Sequence, residues 1–230
     1  MMNEAQQTSF KKILSLFSLE VLLVSVLFVL SLFVFAFIAK GVITGNEKTF
    51  DDKVFAFFSS YATPGFIQAM KVFTFLGSAL FLITAYLILI AYFILKKFYR
   101  YAIDIAVIAL SSTVLLFILK SIFQRQRPSL PIIRTITTYS FPSGHMLSSF
   151  VFCSILSFIV IKSRWKLFYK CLATTLLFLF AIMVGISRIV LKAHYATDVI
   201  ASLFLGIAWV IASFYMLKKV NEKYLSNTAH

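Results

Sequence analysis

His194 and Asp198 stand four residues apart in SRIVLKAHYATD. On a helix that spacing puts both side chains on one face. A carboxylate that accepts from one imidazole nitrogen leaves the other free as nucleophile or base. An exposed ion pair of little energetic weight is the plainer alternative for the two residues. Arg188 lies six positions before His194, across what reads as a tight turn. A second stretch, YSFPSGHMLSSFVF, sets Ser143, Gly144 and His145 directly before a long apolar run. A helix N-terminus carries free N–H groups and partial positive charge, and so favours anions. Ser143 is placed to cap that helix, Gly144 to let an anion reach the backbone, and His145 to sit beside it in the first turn. The third stretch, KSIFQRQRP, has Lys120, then Arg127 seven positions on and Pro128 after it. Arginine grips phosphate oxygens in a two-pronged way, whereas lysine offers a point charge.

What must position these residues is a set of membrane helices. The chain has 230 residues, of which 61% are hydrophobic, too apolar for a soluble domain of this length. The apolar residues fall in blocks at about 14–39, 78–95, 102–119, 146–161, 167–186 and 195–217. A span of hydrocarbon takes ~20 such residues in a helix, and backbone in lipid must satisfy its own hydrogen bonds. The expected fold is therefore all-α, an integral-membrane bundle of six transmembrane helices forming one domain over 1–230. The first block is too long for a signal peptide, and no small-residue cleavage site follows it.

The net charge of +14 raises nucleic acid as a partner, but its distribution argues for loop charge instead. Lys11 and Lys12 precede the first block, Lys96, Lys97 and Arg100 join the second to the third, Lys162, Arg164, Lys166 and Lys170 join the fourth to the fifth, and Lys218, Lys219 and Lys223 follow the sixth. With six spans these segments share one side, which the positive-inside rule makes cytoplasmic, with both termini. The motifs then lie outside. So does a cationic group, Lys120, Arg125, Arg127, Arg134, Arg188 and Lys192, whose position against the rule suggests a bound anion.

In the long outer segment 40–77, TFDDKVFAFFSSYATPG reads as a short interfacial helix. Thr49 and Asp52 fit a capping pattern. Phe50, Val54, Phe57, Phe58 and Tyr61 share a face, and Pro64-Gly65 is the expected stop. A packed connector is an equal alternative. Glu20 and Asp104 lie near the inner ends of their helices, where solvation or a neighbouring base accounts for them. Cys153 and Cys171 have no ligand spacing and read as small buried hydrophobes.

The three stretches together resemble the signature of the type-2 phosphatidic-acid phosphatase superfamily, K-x6-RP, then PSGH, then SR-x5-H-x3-D. Here these are Lys120, Arg127 and Pro128; Pro142, Ser143, Gly144 and His145; Ser187, Arg188, His194 and Asp198. Both internal spacings are intact. The motifs cover about a third of the chain, and the helix layout extends the likeness over nearly all of it. The chain also looks like the bacterial membrane branch, which includes phosphatidylglycerophosphate and undecaprenyl pyrophosphate phosphatases. The resemblance implies that His194 attacks phosphorus to form a phosphohistidine, that Asp198 orients it, and that His145 protonates the leaving group and then activates water. It implies that Lys120, Arg127, Ser143, Gly144 and Arg188 hold the phosphoryl oxygens. Charge stabilisation and in-line positioning dominate phosphoryl transfer. Cations and helix-end amides supply the charge, so no metal or other cofactor is expected. The implied substrate is a membrane lipid phosphate or pyrophosphate, met at the outer face of the cell membrane. The alternatives are a phosphotransferase with another acceptor, a haloperoxidase, against which six spans argue, and a non-catalytic protein, against which the intact motifs argue.

Overall fold

The computed structural model describes residues 19–129, 131–133 and 138–228. Lys11, Lys12 and Arg134, and the side chain of Lys223, lie outside what is described. The described residues form eight helices and no strand. They are α1 Leu19–Thr44, α2 Lys48–Ser60, α3 Pro64–Leu76, α4 Ala79–Leu95, α5 Tyr99–Phe123, α6 Gly144–Lys162, α7 Leu167–Val190 and α8 Ala196–Thr228. The all-α expectation holds. Helices α1, α5, α6, α7 and α8 are each long and apolar enough to cross a bilayer, and α3 with α4 makes a sixth span if that pair, bent by 45°, is one.

The bent pair departs from the sequence reading. Pro64 does not stop a helix; it starts one. Thr63 caps α3 by accepting from the Phe66 amide at 3.3 Å, and Pro64 occupies the first turn, where its missing N–H costs nothing. A second cap follows at once: Ser78 accepts from the Phe81 amide at 3.3 Å and opens α4. Proline and glycine read as breakers marked the boundary correctly but hid the apolar helix between them.

Helix α2 departs as well. It begins at Lys48 with Glu47 at the cap and no side-chain cap bond, so the Thr49–Asp52 pattern is not used. Its inner face is Asp51, Val54, Phe55 and Phe58, at helical spacing, while Phe50, Phe57 and Tyr61 are exposed. The helix packs on α7 and α8, as a connector whose outer side still carries aromatic residues.

Packing centres on α6, which lies most extensively against α7 and also meets α5 and α8; α1 lies along α8 and α3 along α7. One buried cluster joins Phe93, Ile105, Ile108, Leu116, Leu147, Val151 and Leu205 across α4, α5, α6 and α8. A second joins Met146, Phe150, Ala181, Ile189 and Val199 across α6, α7 and α8. The outer faces are apolar too, with Phe33, Phe37, Leu80, Leu110 and Phe117 exposed, as lipid contact requires of a multi-pass membrane protein. Helices α1, α5 and α7 end, and α6 and α8 begin, at one end of the bundle. The lysine-rich α4–α5 and α6–α7 turns lie at the other, where Asp104 pairs with Arg100 at 3.2 Å. Glu20 sits in the exposed first turn of α1. Cys153 is buried as expected; Cys171 is exposed, on the outer side of α7.

The α3–α4 joint is seated tightly. A Cβ on Gly77 would lie 2.3 Å from Val184 Cγ1 and 3.1 Å from Ser149 Oγ. Gly77→Ala therefore overpacks the joint against α7 and α6, with an expected cost of about 1–3 kcal/mol. The check is thermal unfolding in detergent; an unaltered midpoint would show that Val184 yields freely.

Candidate active site

The site is built from helix ends. Lys120 sits in the last turn of α5, and its Nζ donates to the Tyr139 carbonyl. Gln124, in the left-handed region at φ 46°, ends α5 and turns the chain into the Arg125–Pro128 segment. The Ser140 amide donates to the Arg125 carbonyl at 2.8 Å, and Ser140 Oγ to the Gln126 carbonyl at 3.1 Å, which staples 138–140 to that segment. Arg127 is fixed from two sides. Its Nε donates to the Thr138 carbonyl at 2.7 Å and its Nη2 to Thr138 Oγ1 at 3.1 Å. Its Nη1 donates to the Ala193 carbonyl at 2.8 Å and stands 3.2 Å from His194 Nε2.

His194 is delivered by the turn after α7. Lys192 adopts φ 51°, and the amides of Ala193 and His194 both donate to the Arg188 carbonyl, at 2.9 and 3.1 Å. This is a helix C-cap that reverses the chain within a few residues, and it sets His194 over the last turn that carries Arg188. His194 Nδ1 faces Asp198 Oδ2 at 3.4 Å, longer than a tight hydrogen bond but aligned with the expected pairing. With a carboxylate on Nδ1 and an arginine on Nε2, the neutral ring fits one tautomer, Nδ1–H with the Nε2 lone pair facing the Arg127 guanidinium. Burial pushes the His194 pKa down to about 4, against the opposing pull of Asp198 and with help from Arg127 and Arg188. The imidazole is thus unprotonated at neutral pH, as a nucleophile must be.

Arg188 Nη1 donates to Thr74 Oγ1 at 3.0 Å, Thr74 and Ser187 hydroxyls are 2.8 Å apart, and Ser187 Oγ donates to the Val184 carbonyl at 2.6 Å. Each hydroxyl has one proton, so the order is fixed: Arg188 to Thr74, Thr74 to Ser187, Ser187 to Val184. Arg188 Nε is buried without a partner. So is the hydroxyl of Ser143, which occupies the cap position of α6 but makes no cap bond, contrary to expectation. The Ser143 amide instead donates to Ser202 Oγ at 2.6 Å, and Ser202 Oγ to the Asp198 carbonyl at 2.6 Å, which ties the starts of α6 and α8 together. A side chain on Gly144 would meet Leu116 Cδ2 at 3.0 Å, so glycine there also serves the close approach of α6 to α5. His145 follows in the first turn of α6, with Arg188, His194, Arg127 and Lys120 near enough for their charges to act on it.

Sequence reasoning placed Arg125 among the cations awaiting an anion. The structure gives it carboxylates instead. Its Nη1 donates to Asp198 Oδ1 at 2.6 Å and Thr197 Oγ1 at 2.8 Å; its Nη2 donates to Asp51 Oδ2 at 2.8 Å and Glu47 Oε1 at 3.0 Å. The guanidinium lies 4.0 Å from the centre of the Tyr195 ring. Burial pulls its pKa down, but the carboxylates outweigh burial and raise it. Lys192 turns away toward a separate polar cleft of about 540 Å³ that it shares with Glu47, Lys48 and Asp52. Of the described members of the group, Lys120, Arg127 and Arg188 lie beside the two histidines.

Thr74, Thr197, Ser202 and Asp51 escaped the sequence reading. Asp51 had a signal: it is the acid on the Val54, Phe55 and Phe58 stripe, and it is buried, bonded to the Thr197 amide at 2.9 Å and the Thr197 hydroxyl at 2.8 Å. The converging carboxylates Glu47, Asp51 and Asp198 close on a guanidinium, and among the described residues no three His, Cys, Asp or Glu side chains form a metal-binding group.

The family model of the PAP2 superfamily matches residues 101–222, more than half the chain. The chain belongs to the PAP2 superfamily. Among curated proteins it is similar to phosphatidylglycerophosphatase B of Bacillus subtilis (strain 168), 27% identical over 202 residues, which are 84% of this chain and 94% of that one. Among solved structures it is similar to a transmembrane PAP2-type phosphatidylglycerolphosphate phosphatase from Bacillus subtilis, with a TM-score of 0.75 and 24% identity over 85% of this chain and 96% of that one. It is also similar to Aquifex aeolicus LpxE, with a TM-score of 0.54 and 25% identity over 71% and 93% of the two chains. This PAP2 protein is a lipid phosphatase, and the resemblance stated on motifs alone holds.

Thr74 presents its hydroxyl to the PAP2 site from a helix the sequence hid. Thr74→Val removes the acceptor that aims Arg188 and leaves a buried N–H unpaired. The expected result is a roughly tenfold loss in kcat/KM on a lipid phosphate, largely restored in Thr74→Ser. Equal activity of the Val and Ser variants would show that Arg188 needs no such aim.

Proposed function

We propose that this protein hydrolyses the terminal phosphate of a membrane lipid phosphate or pyrophosphate through a phosphohistidine on His194. One observation carries the reading: His194 turns an unprotonated Nε2 toward Arg127, near Arg188 and His145, with Nδ1 backed by a buried Asp198. Nε2 attacks phosphorus in line, and the bond to the lipid oxygen breaks. A protonated His145 gives its proton to that oxygen. The neutral His145 then takes a proton from water, the resulting hydroxide attacks phosphorus, the P–N bond breaks, and phosphate leaves with His145 protonated again. Lys120, Arg127 and Arg188, with the Ser143 hydroxyl and the amides around Gly144 at the start of α6, hold the phosphoryl oxygens. A seated phosphate dianion supplies the negative charge that an imidazolium at His145 needs among those cations. The buried, unpartnered Arg188 Nε and Ser143 Oγ support a polar occupant there, since such groups are costly to leave unpaired. Protein cations supply the charge, so catalysis is metal-independent.

The chain is read as a single domain over 1–230, with α3 and α4 as one bent span, six spans in all and both termini cytoplasmic. Lysines and arginines of the α4–α5 and α6–α7 turns support a cytoplasmic position for the end opposite the site. The reacting end then faces outside the cell membrane. Lipids with a terminal phosphate fit this site: phosphatidylglycerophosphate, as in the curated relative's name, phosphatidic acid, and undecaprenyl pyrophosphate, whose pyrophosphate appears on the outer face.

In detergent with EDTA, phosphate release from these three lipids is expected, and none from His194→Ala. Asp198→Asn is expected to lose about 10²-fold or more in kcat with little change in KM, because the His tautomer is no longer enforced. Activity in His194→Ala would remove it as nucleophile. Phosphorylation of an added alcohol acceptor in place of phosphate release would favour a phosphotransferase, and loss in EDTA restored by magnesium would end the metal-free reading.

The pH dependence follows from His194. Its folded pKa lies near 4, below the ordinary ~6.5, so the neutral nucleophile persists as pH falls through 6. The depressed value also means that the stability tied to this neutral ring is present above pH ~6.5 and lost as pH falls toward 4. The acidic limb of kcat/KM, which reports the free enzyme, is expected nearer 4 than 6.5; a limb at 6.5 would place the ring in water.

A further inference from the structure

We propose that Arg125, held by Asp51 and Glu47 of α2, is a positioning residue for Asp198, and through it for the His194 nucleophile. The inference rests on the reading of His194 and Asp198 given above. Arg125 is not one of the residues that the K-x6-RP pattern names, Lys120, Arg127 and Pro128.

Asp198 is fully buried. A carboxylate oxygen can take either of two partners, and a buried one that turns would break its bond to His194. The structure removes that freedom. Arg125 Nη1 grips Oδ1 at 2.6 Å, and the Tyr195 amide and His194 Nδ1 share Oδ2 at 3.0 and 3.4 Å. Arg125 is itself unable to swing. Its other prong is bound to Asp51 Oδ2 and Glu47 Oε1, and its face lies on Tyr195. Asp51 in turn holds the first turn of α8 by the Thr197 amide and hydroxyl. The result is a closed ring of contacts from α2 through Arg125 to Asp198 and back through Thr197 to α2. A helix outside the long spans thereby fixes the angle at which Asp198 meets the imidazole. Lysine cannot replace the fork, since a single ammonium cannot hold both carboxylates in one plane.

Electrostatics adds a distinguishing readout. The groups facing His194 are Asp198 from α8, Arg127 from the α5–α6 connection, Arg188 from α7 and His145 from α6. Lys120 of α5 acts on Asp198 and Arg127 behind them. Arg125 acts on Asp198 from the far side. Removing the Arg125 charge leaves Asp198 less compensated, so it stabilises an imidazolium at His194 more strongly, and the acidic limb must move to higher pH. A residue that only held the fold would not move that limb.

The test is a steady-state pH series on the full chain in detergent, with phosphatidic acid as substrate, for Arg125→Met, Arg125→Lys and His194→Ala. Arg125→Met is expected to lose about 10–100-fold in kcat with KM within about twofold, as a misplaced catalytic group does, and its acidic limb is expected to rise by about one unit. Arg125→Lys keeps the charge and loses the fork. Its limb should stay within about half a unit of the parent's, while its kcat falls about tenfold. Parental kcat and limb in Arg125→Met would overturn the proposal. If the Met variant does not fold, the Lys variant decides: parental kcat there overturns it. Activity in His194→Ala would instead overturn the reading of the nucleophile, so the two failures are distinguishable.

Discussion

A full negative charge is buried at the mouth of this bundle, and the surrounding architecture answers it. Asp198 has no exposure, and an ionised carboxylate withdrawn from water is tolerated only with close charge and hydrogen-bond partners. Arg125 answers it on one side and His194 with the Tyr195 amide on the other. Arg125 brings its own burial cost, met by Asp51 and Glu47. The network therefore grows outward until it reaches α2, where an acid replaces an apolar residue on the inner face. Negative charge collects on the α2 side of Asp198 and positive charge, from Lys120, Arg127 and Arg188, on the other. The proposed phosphate, between the histidines and those cations, would complete the pattern.

Helix termini make this arrangement inexpensive. Lys120 and Arg188 lie in the last turns of α5 and α7, and Asp198 in the first turn of α8. Cations favour C-terminal ends and anions N-terminal ones, so each charge sits where the backbone already prefers it. The start of α6, with Ser143 and Gly144, is the N-terminus left without an acid in its first turn, and it faces the same space. Antiparallel spans bring the C-terminal ends of α1, α5 and α7 and the N-terminal ends of α6 and α8 to one end of the bundle. The six-block pattern of the sequence thus carries information about where charge could be placed, not only about topology.

The residues proposed to react were legible because chemistry limits their types and their spacing is short: His194 with Asp198 at four, Lys120 with Arg127 at seven. Membrane spans were legible from apolar runs. What supports the site was not. Thr74 and Ser202 are ordinary polar residues within helices, and nothing local separates a threonine that aims an arginine from one that bonds its own backbone, as Thr84 and Thr113 do. Helix α3 was hidden because Pro64-Gly65 reads equally as a stop or a start, and only the Thr63 cap decides. Arg125 was misassigned because a cation's partner is a matter of three-dimensional neighbours; Glu47 and Asp51 are more than 70 residues away along the chain.

The separation of these layers bears on how such a site tolerates change. Residues that touch phosphate answer to a single geometry, that of the phosphoryl group. Residues that hold them answer only to distance and charge, so Asp51, Arg125 and Thr74 could be exchanged for other pairs that keep Asp198 and Arg188 in place. A short motif can therefore specify the chemistry while its supporting shell stays invisible to motif reading. On the proposed mechanism they act on rate through the alignment of the imidazole that Asp198 sets. In this protein Asp51 and Thr74 of that shell come from α2 and α3, the two helices that the apolar blocks alone did not reveal.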